Sequence, residues 1–73
     1  MELKIGRKTL LDPESIEYQW IRTLASDGSS KEMINSSIRR CLGGNDDVAD
    51  RIRRVALGLT PVTELLSVLP ANY

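Results

Sequence analysis

Glycine punctuation is the feature that most limits what this chain can build. Gly28, Gly43-Gly44 and Gly58 each follow a stretch of apolar residues at helical spacing, and each new stretch opens on a start signal. Asp12-Pro13-Glu14 predicts the first start, with Asp12 as N-cap, Pro13 in the first helical position and Glu14 in the first turn. Ile16, Trp20, Ile21, Leu24 and Ala25 then share one face. Ser29-Ser30-Lys31-Glu32 reads as a capping box with Ser29 as cap, ahead of a stripe of Met33, Ile34, Ser37, Ile38, Cys41 and Leu42. Asn45-Asp46-Asp47 starts a third helix carrying Val48, Ile52, Val55 and Ala56. Thr60-Pro61 starts a short fourth one with Val62, Leu65, Leu66 and Leu69, which Pro70 ends.

Ahead of these helices, residues 1–11 read as extended. Leu3 and Ile5 alternate with Glu2 and Lys4, which is the period of a strand, until Gly6 interrupts it. The expected fold class is therefore mainly α: a short N-terminal strand followed by four short helices in one domain, residues 1–73. An all-α small helical bundle is the alternative.

A chain of 73 residues has a small core, and a second copy or a partner would help to stabilise it. Phenylalanine is absent and Trp20, Tyr18 and Tyr73 are the aromatics, so that core has to be aliphatic. Ten basic residues balance ten acidic ones, whereas a generic polyanion binder carries a basic excess. With a single cysteine, Cys41, no internal disulfide can form, and a reducing compartment such as the cytoplasm is expected. No secretory signal and no apolar run of membrane-spanning length stands out.

The residue types that carry catalysis are scarce. There is no histidine, which removes the usual general base and the commonest metal ligand. Cys41 lies on an apolar stripe and reads as a packed thiol. Asp46, Asp47 and Asp50 lack the remaining ligands of a calcium loop and read as acids at a helix start. Gly43-Gly44 has no P-loop lysine beside it and reads as a helix stop. Trp20 reads as core. No enzyme activity, cofactor or metal is expected.

Residues 7–42, RKTLLDPESIEYQWIRTLASDGSSKEMINSSIRRCL, resemble a ribbon-helix-helix DNA-binding domain. Leu11-Asp12-Pro13 would join strand to first helix, Asp27-Gly28-Ser29-Ser30 would form the loop, and S-S-K-E-M-I-N-S-S-I-R-R-C-L is similar to the family's second helix. The resemblance implies a homodimer whose paired strands lie in the major groove as a two-stranded ribbon. Arg7 and Thr9 would then read base edges, with Lys8 in their place if the register shifts by one. Ser29, Ser30 and Lys31 would hold a phosphate at the start of the second helix. Lys8 and Leu11 depart from the family's inward-apolar and outward-polar positions, and on the alternative reading Lys4, Arg7 and Lys8 form a solvated arm.

Residues 36–66 resemble the last helices of phage-repressor-type helix-turn-helix domains, through V-A-D-R-I-R-R-V-A-L-G-L-T-P-V-T-E-L-L. Arg39-Arg40 and Arg51, Arg53 and Arg54 are open to two uses, phosphate contact or a solvated helix face. The apolar segment Leu65 to Leu69 likewise either covers the earlier helices or docks on a partner. The chain is accordingly expected to be a homodimeric DNA-binding regulator, with a helical protein-interaction module, binding through its C-terminal helices, as the alternative.

Overall fold

The computed structural model describes residues 6–68 of the chain. Its elements are α1 (Arg7–Leu10), α2 (Ile16–Ser26), α3 (Lys31–Leu42), α4 (Asp46–Ala56) and a C-terminal 3-10 helix (Val62–Ser67). The fold is mainly helical, and α4 is its centre, touching α2, α3 and the 3-10 helix.

The expected strand is corrected where it can be seen. Arg7–Leu10 form a helical turn, and consecutive turns lead from it into α2, with Leu10 N–H donating to Gly6 O, Asp12 N–H to Thr9 O and Ser15 N–H to Asp12 O. A strand draws its hydrogen bonds from a neighbouring strand, whereas a helical turn closes them locally. With no sheet among the described residues, the local solution satisfies this backbone. Residues 1–5 of the expected strand, and the expected helix end at Leu69-Pro70, lie outside the described residues.

Helix α2 starts later than Asp12-Pro13 implies. Asp12 instead accepts from Glu14 N–H at 3.0 Å inside a turn, and Ser15 takes the N-cap position. The buried face also differs from the expected one. Ile16 is 77% exposed, while Tyr18 and Ile21 are fully buried and Trp20, Leu24 and Ala25 pack half-buried against the core. Tyr18 can occupy this position because its hydroxyl donates to the Leu10 carbonyl, giving a buried polar atom its partner.

The cap of α3 moves by one residue, from Ser29 to Ser30, whose hydroxyl accepts from Met33 N–H at 3.2 Å. Ile34, Ile38 and Leu42 are its buried residues. Met33, on the expected stripe, is 62% exposed. Cys41 is exposed too, which corrects the packed thiol expected there. The buried arc leans toward Asn35 and α4, so the opposite border of the stripe is left uncovered at the last turn.

Helix α4 begins as its sequence implies, with Asn45 accepting from Val48 N–H at 2.9 Å. Val48, Ala49, Ile52, Val55 and Ala56 line its buried side, and Leu65 of the 3-10 helix closes the core. The joint between α3 and α4 is itself buried at Gly43 and Gly44. Gly43 has φ 88° and ψ −162°, a region essentially reserved for glycine. No helix among the described residues is long and apolar enough to cross a membrane.

Candidate functional site

Local charge separates two surfaces that the zero net charge conceals. Helix α4 holds Asp46, Asp47 and Asp50 against Arg51, Arg53 and Arg54, and its arginines face acids of the same chain. Arg51 Nε lies 3.2 Å from Asp47 Oδ2, Arg53 Nη2 lies 2.7 Å from Asp50 Oδ1, and Arg54 Nε lies 3.1 Å from Asp50 Oδ2. Arg51 also reaches Glu64 at 3.9 Å and donates to Ser67 Oγ at 3.3 Å, tying α4 to the 3-10 helix. These arginines brace the fold. Arg53 is 8% exposed, which corrects both uses left open for it, phosphate contact and a solvated face.

Asp50 is the shared acceptor of this cluster. The Arg53 hydrogen bond, first, and that from Asn35 hold its carboxyl below the usual range, against burial pushing the other way; the charges of Arg53 and Arg54 add to the lowering.

Helix α3 carries the uneven charge. Lys31, Arg39 and Arg40 stand against a single acid, Glu32, and all of them are exposed. Met33, Ser36, Ser37 and Arg40 recur at helical spacing and, with Glu32, line a shallow depression of about 260 Å³. Arg39 leans toward the next helix, its guanidinium 3.0 Å from Asp46, in a solvent-exposed pair that adds little stability. The outward side of α3 thus offers hydroxyls, guanidinium and ammonium groups and a thioether on one rigid element.

The residues singled out by sequence fall in two places. Lys8 is exposed and Thr9 half-buried on α1, and Arg7 shares that helical turn. Ser29, Ser30 and Lys31 lie together where α2 turns into α3, with Ser29 N–H donating to Leu24 O and Lys31 exposed. Met33, expected on the buried stripe, instead shares an exposed run with Arg40, one of the arginines open to phosphate contact, and with Ser36, which the sequence did not single out. The signal of that run was the mixture of serines and a basic residue at helical spacing beside an apolar stripe.

A second, open depression of about 480 Å³ lies between the C-terminal ends of α2 and α4, lined by Arg22, Ala25, Ser26, Ala56, Leu57 and Gly58. Arg22 spans it as a strut, donating from Nε to Ala56 O at 2.8 Å and from Nη2 to Pro13 O at 3.1 Å. Among the described residues, no group of three or more His, Cys, Asp or Glu is placed to hold a metal ion. Comparison of the chain with family models, curated proteins and solved structures returns no match.

Proposed function

We propose that this chain is a non-catalytic regulator that binds double-stranded DNA, with α3 as the element laid against the duplex. The observation that carries the reading is the arrangement of α2, the glycine-containing turn at residues 27–30, and α3, whose outer face is basic and hydroxyl-rich. Two helices joined by such a short turn, the second entering the major groove, form a recurrent DNA-reading unit. Arg40 supplies a guanidinium suited to a guanine edge, the hydroxyls of Ser36 and Ser37 suit either strand, and Lys31 suits a phosphate.

In support of this mode, α3 is a formed helix with Lys31, Ser36 and Arg40 among its exposed residues. The ribbon mode asks Arg7, Lys8 and Thr9 to leave a helical turn and Leu10, fully buried, to leave the core. An electrophoretic shift assay on random-sequence duplex at low and moderate salt tests the proposal. Salt-sensitive retardation supports it, and its absence at both salts sinks it.

A protein partner on the C-terminal segment is the second reading, favoured by Leu59 and Leu66, which are 65% and 43% exposed. The partner that also serves the first reading is a second copy, because a dimer would offer two α3 faces to adjacent turns of the duplex. Sedimentation of the wild type and of Leu59→Ser/Leu66→Ser decides it. A dimer that the double variant converts to a monomer supports the reading, and a monomeric wild type removes the dimer.

A further inference from the structure

The side chain of Asn35 is inserted into an ion pair on the neighbouring helix. From α3 it accepts from Arg53 Nε at 3.1 Å and donates from Nδ2 to Asp50 Oδ1 at 3.3 Å, while Arg53 and Asp50 bridge each other at 2.7 Å. The amide fits in one orientation. Reversed, its NH2 would face the guanidinium and its carbonyl the carboxylate, a mismatch on both sides.

Stability alone does not account for this cluster. Burying an ion pair costs desolvation of both groups, and well-packed apolar residues of similar size are often at least as stable. What the charges add is direction. The contacts of Ile34, Ile38 and Leu42 are apolar and tolerate rotation and sliding, because apolar burial is non-directional. Paired hydrogen bonds to a planar amide do not. The side chains of a helix project from one regular backbone, so a small rotation of α3 re-aims every side chain on its outer face.

We propose that Asn35 is the positioning residue of α3: by locking onto Asp50 and Arg53 it selects one rotational setting of the helix and thereby the heading of Met33, Ser36 and Arg40. The inference rests on the reading of α3 as the DNA-contacting helix and deepens it. Asn35 touches no DNA; it acts through the helix that does.

The test uses the full chain with Asn35→Leu, which keeps the branched outline of the side chain, favours the helix and deletes both hydrogen bonds. A duplex enriched from a random pool by the wild type is compared with the random pool by fluorescence anisotropy, and the α3 amides are followed by nitrogen-15 NMR. Expected are a retained fold, broadened or doubled α3 resonances and about tenfold or greater loss of affinity for the enriched duplex. Affinity for the random pool stays within about twofold, because contacts to the uniform phosphate backbone are not tied to one base register. Asn35→Asp, which keeps the acceptor and drops the donor, is the second variant should the leucine fail to fold, and it is expected to lower the same ratio. A wild-type ratio and a single set of α3 resonances in the folded variants overturn the proposal. If the wild type binds no duplex, the DNA reading fails, and the α3 resonances still decide whether Asn35 sets the helix.

Discussion

The Tyr18 hydroxyl donates to the Leu10 carbonyl across the bend that joins α1 to α2, and both side chains are fully buried. The bond anchors the N-terminal turn to the core beside the buried Leu10 side chain. Tyr18→Phe keeps the ring and strands the carbonyl. The expected loss is about 1–2 kcal/mol in urea denaturation, with faster amide exchange over residues 9–12.

The same hydroxyl makes the fold sensitive to alkali. Burial, with smaller contributions from the charges of Asp12 and Glu17, pushes the Tyr18 pKa up from 10.0 to about 12. A value raised in the folded state means that the folded protein holds the neutral phenol more tightly than the unfolded chain does. Its contribution is complete below about pH 10 and is lost as pH rises toward about 12. Stability measured across that window should fall in the wild type and fall less steeply in Tyr18→Phe.

Asp50 sets the opposite dependence. Its carboxyl is lowered from 3.8 by Arg53 foremost, so its contribution is present above that value and disappears as pH falls through the lower folded value. Asp50→Ala leaves Arg53, 8% exposed, without its anion. The expected cost is about 3 kcal/mol at neutral pH. The acid limb of the stability curve should flatten in the same variant, and an unchanged acid limb would show that Asp50 is not the titrating group.

Gly43 cannot be replaced cheaply. At φ 88° and ψ −162°, an alanine would meet backbone strain of about 1–3 kcal/mol whatever the surrounding space. Thermal melting of Gly43→Ala should register that loss, whereas Ser30→Ala, which removes only the α3 cap, should cost about 1 kcal/mol.

On the α3 face, base contact and phosphate contact are expected to separate. Arg40→Ala should weaken binding to an enriched duplex by about 1–3 kcal/mol and relax its sequence preference. Lys31→Ala should weaken all duplexes alike and reduce the salt slope by about one. Equal effects of Arg40→Ala on enriched and random DNA would remove it from base reading.

The helices were legible in sequence because caps and periodicity are local properties. Asn45 capped α4 where the pattern placed it, and Gly28, Gly43 and Gly58 took positive φ values at the breaks. Residues 7–10 misled because alternation at Leu3 and Ile5 reports a strand only if another strand lies alongside. Ile16 misled because periodicity shows which residues share a face but not how far the neighbouring elements cover it, and Ile16, next to the Ser15 cap, is left outside the covered part. Arg53 could not be read as buried without knowing that Asn35, far from it in sequence, arrives beside it. The same dependence on tertiary neighbours hid Met33, Ser36 and Arg40, which sequence order alone does not divide into covered and open.

The buried joint at Gly43 and Gly44 has a mechanical consequence. With both glycines enclosed and the Asn35 amide clasped by α4, the helices on either side of the joint share one lever. A load applied to the outer side of α3 therefore passes to α4 through the Asn35 amide instead of being absorbed at the turn.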